Sequence, residues 1–220
     1  MQSEDLFLAL DNVVKFDFSK NPFWWPNTGK FEVIVGAILV QNTNWKNAEL
    51  ALENLRKFGL LDLEKIANLN LENLANIIKP SGFYNQKAKR LNLLCNAILS
   101  EFSNFESFKF SVSREWLISQ KGIGLETCDA ILCYGCGREI MVCDKYTANL
   151  LRFLGYEFES YEEMQEWLQS IDMSEIWQIY PNMSENEIFA RFHGIIVEFC
   201  KEHFKNGKFD QIAKNILLEL

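Results

Sequence analysis

Between Arg114 and Gly137 an apolar stretch, Arg114-Glu-Trp-Leu-Ile-Ser119, runs through Lys121-Gly-Ile-Gly124 into a second apolar stretch from Leu125 to Tyr134. Two glycines around one aliphatic residue demand a tight hairpin between two helices. Glycine accepts positive φ and lets other groups come close to the backbone. The amides that open the second helix have no intrahelical partner and attract anions. Taken alone, the segment is either a plain helix–turn–helix connection or a cradle for a phosphate group, with Lys121, Gly122 and Gly124 at its tip.

The rest of the chain keeps the same helical rhythm, with apolar residues three and four apart at Phe31, Ile34, Val35, Ile38 and Leu39, and again at Leu91, Leu94 and Ile98. Helices are expected at 3–16, 30–40, 44–57, 62–67, 71–77, 84–102, 113–119, 124–136, 144–154, 160–169, 173–179 and 184–205. No alternating strand pattern and no repeat stands out, so the predicted class is all-α. A chain of 220 residues can form one large domain or two small helical lobes. No basic stretch followed by an apolar run opens the sequence, and no apolar run approaches the roughly 18–20 residues of a membrane span. The expectation is a cytoplasmic protein with no membrane partner.

Six cysteines without a secretory pattern are expected to be reduced thiols. Cys133-x-x-Cys136 suggests redox chemistry or zinc at first sight. Zinc needs two further ligands, however, and the histidines, His193 and His203, are far along the chain. Buried structural thiols and no metal are therefore expected. The net charge of −8 argues mildly against nucleic acid as a partner. Its distribution qualifies this, because 73–100 contains Lys79, Lys87, Lys89 and Arg90 with no acid, while acids crowd 157–202.

With these motifs in hand, the chain resembles the endonuclease III branch of the helix-hairpin-helix DNA glycosylases, and within it the 3-methyladenine DNA glycosylases. Four segments carry the resemblance in order. They are Phe31-Glu-Val-Ile-Val-Gly-Ala-Ile-Leu-Val-Gln-Asn-Thr43, Gly82-Phe-Tyr-Asn-Gln-Lys-Ala-Lys-Arg90, the hairpin, and Val142-Cys-Asp-Lys-Tyr146. Asp144 follows Glu126 by 18 residues, the family's separation between its hairpin-helix position and its catalytic aspartate. The resemblance implies two helical lobes flanking a DNA-binding cleft. Residues 30–136 would form a six-helix lobe ending in the hairpin (114–136), and 1–29 with 137–220 the other. It implies catalysis by Asp144, which the local pattern also suits as the N-cap of a helix starting at Lys145.

The family pattern also sets what this chain is expected not to do. Glycosylases that cleave the strand carry a lysine on the second hairpin helix, and here that position is Glu126, which cannot form an imine. Lys145 is an alternative nucleophile only if it turns toward the site that Asp144 faces. Many endonuclease III relatives hold a [4Fe-4S] cluster with four C-terminal cysteines, whereas this segment has only Cys200, so no cofactor is expected. On the same segment His193, Glu198 and Lys201 are either structural or close to the reaction, and Lys201 is the preferred second catalytic residue. Trp24, Trp25, Pro26 and Trp45 fall at the family's pocket positions, where indoles stack on an extruded, preferably cationic base. Otherwise the tryptophan pair simply fills a core. Gln41, with Asn42 beside it, occupies the position of the side chain that fills the vacated stack. Lys87, Lys89 and Arg90 would support phosphate contacts or be merely solvated. The expectation is a monomer that acts on double-stranded DNA containing alkylated bases, N3-methyladenine above all, and leaves an abasic site.

Overall fold

The computed structural model describes residues 1–218 and divides into two compact units, one of Met1–Pro26 with Arg138–Leu220 and one of Asn27–Gly137. The chain begins in the first unit with α1 (Ser3–Val13). It then forms in the second unit α2 (Glu32–Leu39), α3 (Trp45–Lys57), α4 (Leu63–Asn68), α5 (Leu71–Ile77), α6 (Tyr84–Phe102), α7 (Phe105–Ser111), α8 (Arg114–Ser119) and α9 (Leu125–Ala130). Back in the first unit come α10 (Lys145–Phe153), α11 (Tyr161–Gln169), α12 (Met173–Ile179), α13 (Glu185–His203) and α14 (Gln211–Leu218). The all-α class holds. Among the described residues no helix is long and apolar enough to cross a membrane.

Helix boundaries follow local capping chemistry. Asp62, Asn70, Asn104, Ser113, Ser160 and Ser184 each accept a backbone N–H of the first turn of the helix they precede. Each such cap is worth about 1 kcal/mol. Ser184 and Glu187 complete a reciprocal capping box at the start of α13.

Four features differ from the sequence expectation. The first helix ends at Val13 rather than residue 16, because Val14 is already extended. Phe105–Ser111 is helical, its start fixed by Asn104 accepting from Ser107 N at 2.9 Å. The last long helix stops at His203, and Phe204–Lys205 pairs antiparallel with Lys208–Phe209. Asn206 and Gly207 have φ of 53° and 77°, the turn geometry that an Asn-Gly pair favours. Beyond the ribbon, α14 starts on Asp210, which accepts from Ala213 N at 2.9 Å.

In the second unit α6 packs against α4 and α5, burying Leu91, Leu94 and Ile98 with Ile66 and Leu74. The helix expected over 124–136 begins as α9 and loosens to a π-helical turn at Ile131–Gly135. Cys133 and Cys136 are buried there. In the first unit the core gathers on α13, whose Phe189, Phe192, Ile195, Ile196 and Phe199 meet Leu6, Phe7 and Leu10 of α1 and Leu150 and Leu151 of α10. Arg191 ties α13 to α1 with a two-point bond to Asp11, at 2.6 and 3.0 Å.

Candidate active site

Asp144 stands immediately before α10. Its Oδ1 accepts the Thr147 amide at 2.9 Å and the Thr147 hydroxyl at 3.1 Å. Its Oδ2 lies 3.8 Å from His193 Nε2 on α13. Burial opposes the charge, but His193 and the two Thr147 donors outweigh it and hold the carboxyl below its ordinary range. Asp144 is thus a half-buried, ionised carboxylate fixed in direction by the helix that it caps. Lys145, the next residue, is exposed.

The His193 ring also meets Trp24 edge to face, with centroids 5.3 Å apart. Trp24 and Trp25 form a second edge-to-face pair at 6.2 Å. Trp25 is buried, while Trp24 and Pro26 are half-buried. Lys201 lies with its ammonium 5.2 Å from the centre of the Trp24 ring and 2.9 Å from Glu198 Oε1. His193, Trp24, Glu198 and Lys201 are therefore linked by successive contacts, and the chain of contacts starts at Asp144. Cys200, on the same helix, is buried, and its thiol is pushed up to about 12 by burial and then by Asp144. That is a poor setting for a metal-binding thiolate. A C-terminal segment with this one cysteine does not fit the four-cysteine cluster of the endonuclease III relatives.

The second unit holds the hairpin and the polar turn after α2. Gly122 has φ of 88°, and a Cβ there would lie 2.4 Å from Arg90 Nε. Arg90 Nη1 donates to Gln41 Oε1 at 2.8 Å, and Gln41 Nε2 donates to Gly122 O at 3.1 Å and Thr127 Oγ1 at 2.9 Å. Gln41, Arg90 and the hairpin thus form one polar assembly. Asn42 is exposed in the left-handed region at φ 52°, which asparagine tolerates better than most residues. Lys121 and Gly124 are exposed at the hairpin tip, with open space where a Gly124 Cβ would point. Glu126 is exposed on α9. Trp45 opens α3 and is half-buried.

Lys87 corrects the expectation of a cation on an open helix face. It is 2% exposed, and its ammonium donates to Leu39 O at 2.9 Å and Ser81 O at 2.7 Å. It closes carbonyls at the end of α2 and in the turn before α6, so it does not reach a phosphate. Burial, then the Arg90 charge, lowers its pKa to about 8. Lys87→Met should leave both carbonyls without their donor and destabilise the protein by about 2–4 kcal/mol. Urea unfolding, followed by circular dichroism, would measure this.

Two residues that matter to the geometry were not singled out from the sequence. Thr127, on the second hairpin helix, accepts from Gln41 Nε2 at 2.9 Å, but a threonine within such a helix carries no distinguishing signal. Gly194 leaves room for Trp24, and its signal was available, since it is the lone glycine within the 19-residue α13.

Residues 35–172 match the HhH-GPD superfamily of base excision DNA repair proteins. The chain belongs to this superfamily, and so to the DNA glycosylases of base excision repair. Among individual relatives, it is 37% identical over 197 residues to a protein of Methanocaldococcus jannaschii provisionally named as a DNA repair glycosylase, covering 86% of this chain and 84% of that one. It is similar in structure to an H. pylori 3-methyladenine DNA glycosylase crystallised with 1,N6-ethenoadenine, with 44% identity and a TM-score of 0.86 over 92% of this chain and 98% of the other. An endonuclease III trapped covalently on DNA shares the fold at 18% identity, with a TM-score of 0.75 over 100% of this chain and 95% of that chain.

Proposed function

We propose that this glycosylase is monofunctional and removes alkylated purines, N3-methyladenine first among them, from double-stranded DNA. The observation that carries the reading is His193 touching both the ionised Asp144 and the indole of Trp24. A charge-stabilising carboxylate and an aromatic face are thereby coupled on one unit. The H. pylori relative acts on 3-methyladenine, which points the same way.

Hydrolysis of an N-glycosidic bond develops positive charge on the sugar as the base departs. Asp144 stabilises that charge and orients the water whose oxygen bonds to the anomeric carbon; the water's proton passes to solvent through the carboxylate. An N3-methylated adenine is already cationic, leaves without prior protonation, and is attracted to indole faces. Trp24, Trp25 and Pro26 contact the base in this reading, and the resemblance adds Trp45. Gln41 and Asn42 meet the opened stack, and the tip residues Lys121, Gly122 and Gly124 hold a phosphate. Lys201 serves through its place on the Trp24 face. Glu126, in place of a lysine, leaves no amine at the hairpin-helix position to attack the sugar. The enzyme acts as a monomer in the cytoplasm.

The test is incubation of duplex DNA containing N3-methyladenine. Free base should appear while the strand stays whole until alkali is added. Strand scission without alkali would overturn the monofunctional reading. Failure to release the base, with release of an oxidised base instead, would overturn the substrate.

A further inference from the structure

Trp24 is held more tightly than a stacking surface needs to be. Its φ of 61° lies in the left-handed region, unusual for a bulky residue. Its loop is closed by Trp24 N donating to Asn21 O at 3.0 Å and by Asn21 Nδ2 donating to Trp24 O. Further support comes from one face of α13, where Gly194, Glu198 and Lys201 follow at i, i+4 and i+7.

Each of the three makes a different contact. A Cβ on Gly194 would stand 2.6 Å from both Cβ and Cγ of Trp24, so only a hydrogen atom fits there. Glu198 Oε1 accepts the indole Nε1–H at 3.0 Å and the Lys201 ammonium at 2.9 Å, one oxygen serving both donors. The same ammonium is 5.2 Å from the indole centroid. The ring therefore already has a cation beside it. A carboxylate accepting the indole N–H polarises the ring toward greater electron density, which strengthens its attraction for positive charge.

We propose that Gly194 and Glu198 are positioning residues for Trp24, and that the Glu198 charge, acting through the indole N–H, makes Trp24 favour cationic over neutral bases. This rests on Trp24 contacting the base, the reading given above. Gly194 sets where the ring stands, and Glu198 sets its preference.

The full-length chain tests both parts. In Glu198→Gln the amide oxygen still accepts a hydrogen bond but carries no charge. The ratio of kcat/KM for N3-methyladenine to that for neutral ethenoadenine should fall about tenfold, within the range of cation–π strengths. In Gly194→Ala the displaced ring should lower kcat on both substrates about 100-fold with a smaller change in KM, as misplacement by an ångström can. The indole Nε1 proton of Trp24, followed by NMR, should move upfield in Glu198→Gln and shift in Gly194→Ala. An unmoved resonance in Gly194→Ala overturns the positioning role of Gly194, and one unmoved in Glu198→Gln overturns that of Glu198. An unchanged ratio in Glu198→Gln overturns the selectivity. If Gly194→Ala does not fold, Glu198→Ala, which removes the acceptor of the indole N–H, takes its place and must move the resonance. A wild type that releases neither base refutes the functional reading, while the resonance shifts still decide the positioning.

Discussion

Asp144→Asn is expected to fold, to bind DNA, and to release N3-methyladenine about 10²–10⁴-fold more slowly than the wild type. The substitution separates two duties of one side chain. Asparagine caps a helix about as well as aspartate, and its amide oxygen can still accept the Thr147 amide that Oδ1 accepts at 2.9 Å. α10 therefore keeps its start. What is lost is the negative charge to which the proposed mechanism assigns stabilisation of the sugar as the base departs. Single-turnover base release, alongside binding of an uncleavable duplex, distinguishes the duties. Release at the wild-type rate would remove Asp144 from the reaction.

The same carboxylate fixes a pH signature. Its folded-state pKa lies below its ordinary value, so the folded protein holds this proton less readily than the unfolded chain does. Its stabilising contribution is complete above the unfolded value of about 3.9 and is lost as pH falls through the lower folded value. The stability gap between wild type and Asp144→Asn should be present at neutral pH and close in acid below that value. Thermal unfolding at a series of pH values would show this, and a gap that widened in acid would contradict the assigned direction.

The second large effect is expected at the hairpin. Arg114, the first residue of α8, donates from Nε to Asp129 Oδ1 at 2.8 Å and from Nη2 to Oδ2 at 3.0 Å. The Asp129 side chain is 0% exposed, so no solvent offsets loss of the arginine. Arg114→Met should cost about 3–5 kcal/mol, the usual penalty for removing one partner of a buried ion pair. Because the pair ties α8 to α9 across the Gly122 turn, DNA binding should weaken along with stability. Replacing both partners by apolar residues should recover much of the stability, since no carboxylate then has to be buried. If Arg114→Met shifted the urea midpoint by less than a surface substitution does, the clamp would be shown to contribute little.

Much of the architecture was legible because its determinants are local. Apolar spacing and N-caps give most helices within a residue or two, and the turn glycines give the hairpin. Asp144 stood out twice, as a cap and by its distance from Glu126. The misses share a different character. Lys87 looked like one cation in a basic run, and only the fold reveals that Leu39 and Ser81, from two other segments, close around its ammonium. Gly194 was visible as an oddity within a long helix, yet its reason is an indole some 170 residues earlier in the chain. Asn206-Gly207 carried a clear turn signal that the strong helical periodicity before it concealed. Helix starts are written in neighbouring residues, whereas the environment of a long polar side chain is written by distant ones.

The enclosure of Lys87 gives the second unit a built-in chemical reporter. With a pKa of about 8, this amine would be a better nucleophile near neutral pH than an ordinary surface lysine, but reagent cannot reach it while Leu39 and Ser81 hold it. Acylating reagents should therefore label the exposed lysines rapidly and Lys87 only as fast as the surrounding helices part. Peptide mapping after timed exposure would turn that one delayed residue into a clock for opening of the unit.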